Sequence, residues 1–137
     1  MRIMAIDYGD ARTGYAVSDA SGLLAGETGV LPSRNPDKLL ADLVRLYEEK
    51  GVERIALGLP RNMDGTEGVR AEKSRALKES LEAAGCAVDL VDERRTTVEA
   101  HAILTETGRR GKQRKKRVDA VAASLILETY LNGRRGE

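Results

Sequence analysis

The first apolar run of the chain, Arg2 to Ile6 in "RIMAI", offers no polar face. A strand that is hydrophobic on both sides must be covered on both sides, which places it in the middle of a sheet with layers above and below. The run ends directly on a carboxylate, Asp7, followed by Gly9, Asp10 and Gly14 in "MAIDYGDARTG". Burying an unpaired charge costs on the order of several kcal/mol. Asp7 therefore either caps a turn or faces something positive.

The segments that follow set the fold class. Tyr15 to Ser18 and Leu23 to Val30 read as two further short strands separated from the first by Gly- and Asp-containing turns, which predicts an antiparallel meander. Asn35 and Pro36 supply an N-cap and a first-turn residue, and Leu39, Leu40, Leu43, Val44, Leu46 and Tyr47 then form a helical stripe that stops at Lys50 and Gly51. A strand over Arg54 to Leu59, a helix over Val69 to Ala84 ended by Gly85, and a strand over Ala87 to Val91 continue the alternation. Thr96 and Glu99 have capping-box spacing ahead of a third helix running to about Thr107, and Val118 to Leu131 forms the last. Three meander strands and two helix-strand units with right-handed crossovers predict one α/β domain over 1–137, a mixed five-stranded sheet with helices on both faces. In such sheets ligands bind beyond the carboxyl ends of the parallel strands, where Asp7 lies.

Composition narrows the function classes. A chain of 137 residues is large enough for one core and too short for two lobes. No apolar stretch approaches the roughly 20 residues of a membrane helix, and Met1-Arg2 leads into a strand rather than a signal peptide, so a cytoplasmic protein is expected. The single cysteine, Cys86, opens the apolar run "CAVDLV" and reads as a buried structural thiol. The only histidine, His101, falls in the third helix and reads as a surface or packing residue. Net charge is +1, but seven of the 23 basic residues are concentrated in "RRGKQRKKR", Arg109 to Arg117, with no acid among them. The body is acidic and carries one basic segment: Arg109, Arg110, Lys112, Arg114, Lys115, Lys116 and Arg117.

Three acidic positions adjoin apolar elements, where simple solvation explains little: Asp7 ends the first strand, Asp92-Glu93 ends the fifth, and Asp119 opens the last helix. Singly, each has an ordinary explanation as a turn residue, a partner for Arg94 and Arg95, or a first-turn acid facing the helix dipole. Gathered at one sheet edge they would repel one another unless Mg²⁺ or Mn²⁺ lay between them. Asp119 also follows the basic segment by two residues. An acidic cluster beside a cationic loop suits a polyanion whose scissile phosphate is held by metal and whose flanking phosphates meet Lys and Arg.

The stretches "IDYGDARTGYAVSD", "ALGLPRNMDGTEG", "VDERRTTVEA" and "KKRVDAVAASLILETYL" resemble, in order and over nearly the whole chain, the YqgF (RuvX) family of Holliday-junction-resolvase-like pre-16S rRNA nucleases. The resemblance implies an RNase H-like fold, a metal-dependent nuclease activity with Asp7, Glu93 and Asp119 as the acidic triad, and a role in maturing precursor small-subunit ribosomal RNA. Two metal ions about 3.5–4 Å apart would serve phosphodiester hydrolysis. Resolution of branched DNA junctions is the alternative substrate class, and a non-catalytic RNA-binding assembly factor retaining the fold is another. The resemblance leaves monomer and homodimer both open. Within "GLPRNMDGTEG", Asn62, Asp64, Gly65 and Thr66 form a polar loop at the same edge, either touching substrate, with Asn62 as a nucleic-acid contact, or making a tight turn. "DYGDARTG" is also similar to the first phosphate motif of actin-like ATPases and sugar kinases, which close two such domains around a nucleotide; 137 residues cannot supply both.

Overall fold

The computed structural model describes residues 1–19, 25–60, 64, 66–92 and 121–132. The strands are β1 (Arg2–Asp7), β2 (Arg12–Ser18), β3 (Ala25–Pro32), β4 (Val52–Leu59) and β5 (Val88–Asp92); the helices are α1 (Pro36–Glu49), α2 (Val69–Ala83) and α3 over 121–132. They form one sheet in the order β3-β2-β1-β4-β5. β1 pairs antiparallel with β2 and parallel with β4, so it is the central strand, as its two apolar faces require.

The two layers follow from the alternation along β1. Met4 and Ile6 join Leu39, Leu43 and Leu46 of α1 and Leu77 and Leu81 of α2 in one core. Ile3 and Ala5 join Ala123, Ile126, Leu127 and Leu131 of α3 in the other. These four residues of β1 are 0–2% exposed, which leaves no place for a charge between Arg2 and the strand's end. The predicted thiol is buried too: Cys86 lies in the α1/α2 core, and burial pushes its pKa up. No helix among the described residues is long and apolar enough to cross a membrane.

Element boundaries differ from the periodicity by a few residues, for identifiable reasons. β2 begins at Arg12 and β3 continues to Pro32, because Arg12, Thr13 and Gly14 pair in register with Pro32, Leu31 and Val30. Cross-strand pairing extends both strands past their apolar cores. α1 starts as predicted: the Asn35 side-chain oxygen accepts from the backbone N–H groups of Asp37 and Lys38 at 3.1 and 3.2 Å, and Pro36 occupies the first turn. Gly51, with φ +65°, ends the helix in the left-handed conformation that favours glycine. The helix expected after Thr96, together with His101, lies outside the described residues.

At its amino end β1 shows a register shift against β4 between Arg2 and Ile3, and Ser18 borders a shift between β2 and β3. There the Ile3 N–H donates instead to Ser18 Oγ at 2.9 Å, and Ser18 is 2% exposed. Removing the hydroxyl strands a buried donor, at about 1–3 kcal/mol. Ser18→Ala is therefore expected to lower the unfolding free energy by that amount, read as a lower urea midpoint at an unchanged denaturant slope; an unchanged midpoint would show that water satisfies the N–H.

Candidate active site at the carboxyl edge of the sheet

Asp7 is half-buried at the carboxyl end of the central strand. Side chains alternate along a strand, so it shares a face with Ile3 and Ala5, the face covered by α3. Its partner in β2 is Gly14, and on the other side Gly58 follows Leu57, the partner of Ile6 in β4. Neither neighbouring position carries a side chain, and glycines within strands commonly mark places where a ligand or another backbone comes close. A hard carboxylate oxygen bordered in this way fits a divalent cation of the Mg²⁺ type. Among the described residues no group of three or more His, Cys, Asp or Glu side chains is arranged to hold a metal.

The same alternation sorts the two acids at the end of β5. Val88 and Leu90 belong to the α1/α2 side, and Val91 belongs to the α3 side. Asp92, exposed and level with Leu59, therefore takes the α1/α2 face and not the face of Asp7. Glu93, Asp119, Asn62 and the basic residues 109–117 lie outside the described residues.

α3 is fixed against the sheet at its far end. Tyr130 Oη donates to Asp89, near the start of β5, and the same carboxylate oxygen receives Arg54 Nη1 at 2.8 Å from near the start of β4. Nine helical residues separate Tyr130 from Val121, about 14 Å. From Asp89, about 10 Å of β5 runs to its end at Asp92. Ile126, Leu127 and Ala123 pack along the interval. The earlier turns of α3 thus head towards the edge that carries Asp7.

The β1–β2 turn that presents Asp7 is held rigidly. Gly9 N–H donates to Thr13 Oγ1 at 3.4 Å, the Ser33 hydroxyl donates to the Gly9 carbonyl, and Ser33 N–H donates to the Ala11 carbonyl at 3.0 Å. Thr13 and Ser33 are both buried. From α2, Arg70 Nη2 donates to the Tyr8 carbonyl at 3.3 Å and Lys73 Nζ to Asp10 at 2.8 Å. That pairing holds the Asp10 carboxyl below its usual range and the Lys73 ammonium above its own, through the hydrogen bond first and charge attraction second. Asp10 is thus a turn acid tied to α2. This latch was not among the sequence expectations, because nothing in the spacing links positions 10 and 73. In the loop before α2, the Asp64 carboxylate accepts from Thr66 N–H at 3.0 Å and Thr66 Oγ1 at 2.7 Å, the tight-turn alternative for this pair.

A family profile described as RuvX, Holliday junction resolvase, matches residues 1–133. The chain belongs to the RuvX family. RuvX relatives include a "Putative pre-16S rRNA nuclease" of Chloroflexus aurantiacus, 39% identical over 134 residues and covering 97% of this chain and 88% of the relative. A protein of the same name from Halothermothrix orenii is 44% identical over 133 residues, covering 96% of this chain and 95% of its own. In three dimensions the RuvX chain is similar to Thermus thermophilus RuvC in complex with a Holliday junction substrate, with TM-score 0.63 and 16% identity over 99% of this chain and 96% of that one. The Fowlpox virus resolvase, in complex with Holliday junction DNA, gives TM-score 0.62 and 12% identity over 98% and 99%. At these identities the two structures establish the shared fold, the RNase H-like mixed sheet.

Gly9 is the most constrained position of the turn. A Cβ there would meet the Arg12 carbonyl oxygen at 2.3 Å, and a backbone atom has no rotamer by which to yield. Gly9→Ala is expected to cost about 1–3 kcal/mol, the range for overpacking a tight site, read as a lower midpoint in chemical unfolding. Stability equal to wild type would mean that the turn can open at no cost.

Proposed function

We propose that this RuvX chain is a divalent-metal-dependent nuclease that processes precursor small-subunit ribosomal RNA in the cytoplasm, with Asp7, Glu93 and Asp119 holding Mg²⁺ or Mn²⁺. The observation that carries the reading is the position of Asp7, at the end of a doubly buried strand, between two glycines, on the face covered by α3. Two further arguments support the other ligands. Asp92 takes the opposite face, which favours Glu93 as the acid of that pair in the proposed site. Asp119 stands four residues before Ala123 and seven before Ile126, the spacing of one helical face, and α3 leads back to the edge of Asp7.

When bound, such a metal pair activates water and stabilises the leaving oxygen of a phosphodiester. Asp7, fixed by the pinned turn, would supply the donor set by the rigid sheet, while the residues of the basic segment, Arg109, Arg110, Lys112, Arg114, Lys115, Lys116 and Arg117, would meet flanking phosphates without reading sequence. Asn62 is a candidate for one more interaction with the strand. The relatives' names favour ribosomal RNA precursor, and the resolvase name of the family keeps branched DNA as the second substrate class.

The test is cleavage of labelled precursor ribosomal RNA and of a four-way DNA junction, side by side, with Mn²⁺, Mg²⁺ or chelator. Asp7→Asn is expected to abolish cleavage, a larger effect than the roughly 10–100-fold for removing an outer hydrogen-bond partner of a metal site, while folding and nucleic-acid binding persist. Glu93→Ala should behave in the same way and Asp92→Ala should remain active. Undiminished cleavage by Asp7→Asn overturns the metal assignment, and the reverse result at positions 92 and 93 reassigns the ligand.

The basic segment has a separate readout. Every phosphate that a substitution leaves without its cation should flatten the plot of log affinity against log salt by about 0.7 for a single strand or 0.9 for duplex DNA. Replacing Lys112, Lys115 and Lys116 with Gln should weaken binding and lower this slope together, similarly across sequences. Wild-type affinity with an unchanged slope would show that the segment is merely solvated.

A further inference from the structure

The edge that carries Asp7 has a second concavity, on the opposite face. Tyr8 follows Asp7 and so belongs to the α1/α2 side, where it is half-buried: it packs against the core and also lines a cleft between the β1–β2 turn and the two helices. The inner part, about 190 Å³, is walled by Leu39, Leu40, Ala76 and Leu77, with Asp37 and Ser80 as polar lining. The outer part, about 450 Å³, is rimmed by Asp10, Ser33, Arg34 and Lys73. Pockets for whole small-molecule ligands run to roughly 300–1,000 Å³, so the inner part suits one planar ring rather than a cofactor.

The rim is suited to phosphate. Arg34 is exposed and pairs with no carboxylate among the described residues. Lys73 is held by Asp10, but both are exposed, and such surface pairs are weak enough for another anion to replace one member. Arg70 holds the Tyr8 carbonyl, so the backbone that presents the ring is fixed.

We propose that this cleft binds an unpaired base of the substrate strand beside the phosphate held at Asp7, with Tyr8 stacking on the base and Arg34 and Lys73 meeting the phosphates beyond it. The proposal rests on the nuclease reading above. Asp7 and Tyr8 are neighbours whose Cα atoms stand about 3.8 Å apart, so a strand placed at one carboxylate needs only to cross the end of β1 to reach the ring. Stacking accepts any base. Structured RNA offers such bases in loops, bulges and ends, and a continuous duplex does not. The cleft therefore selects phosphates flanked by an unpaired nucleotide.

The chain contains no tryptophan, so Tyr8→Trp introduces a single indole at the cleft. In chelator, titration with single-stranded oligoadenosine should quench its emission, with the midpoint seen by polarisation of the labelled oligonucleotide. Binding by polarisation with unchanged indole emission overturns the proposal. With metal present, Tyr8→Ala should raise KM for a substrate with unpaired flanking nucleotides by roughly 5- to 150-fold, the equivalent of about 1–3 kcal/mol per stacked base. The turnover number should change little, and Tyr8→Phe should restore KM because stacking needs the ring and not the hydroxyl. An unchanged KM, or an equal rise on a fully paired duplex, also overturns it. If the wild type cleaves neither nucleic acid, the nuclease reading fails, and the chelator titration still decides whether the cleft holds a base.

Discussion

Burial of β1 on both faces is the constraint from which the rest of the molecule follows. Ile3, Met4, Ala5 and Ile6 are all essentially inaccessible, two against α1 and α2 and two against α3. Each pair would forfeit favourable apolar burial, on the order of 1.5–3 kcal/mol for a large side chain, if the layer covering it were removed. A strand held so tightly cannot admit a charge between its two ends, so the first carboxylate the chain can place is at the strand's carboxyl end. Asp7 is there because the sheet excludes it from anywhere earlier. The rigidity that sets its place suits the ligand role proposed for it, since a site set on a sheet is more exact than one set on a loop.

The alternation of side chains then divides the edge into two faces. Asp7 takes the α3 side and Tyr8 the α1/α2 side, although they are adjacent in the chain. The α3 side is anchored from a distance, by Tyr130 and Arg54 converging on Asp89 at the other end of the strands. The α1/α2 side is anchored locally, by Arg70 and Lys73 reaching the turn and by Ser33 bonding the Gly9 carbonyl. The turn that follows Asp7 is therefore tied to the α1/α2 side through Arg70 and Lys73.

Much of this architecture was legible because it depends on local rules. The doubly apolar "RIMAI" announced a central strand, Asn35-Pro36 announced the start of α1, and Gly51 announced its end. The family resemblance rested on motifs in order along the chain, and the profile match over 1–133 agrees with it. Strand limits were less legible. Arg12 to Gly14 became part of β2 only because Val30 to Pro32 lie opposite them. The hydrogen bonds from Thr66 to Asp64 were not legible either, since the residues of that loop allowed a tight turn and a substrate contact equally.

By itself the sequence determined the sheet's central strand, the class of fold, the carboxylate at the edge and the family. Each of these is carried by residues within a few positions of one another or by motifs whose order is preserved. Tertiary structure alone put Asp92 on the α1/α2 face, because that depends on which side of β5 meets α3. It alone brought Tyr8, Arg34 and Lys73 around one cleft, since these belong to a strand end, a linker and a helix separated by dozens of residues. The physical reason is the same in both cases: periodicity specifies that a side chain alternates or recurs, whereas only packing specifies what lies on the side to which it turns.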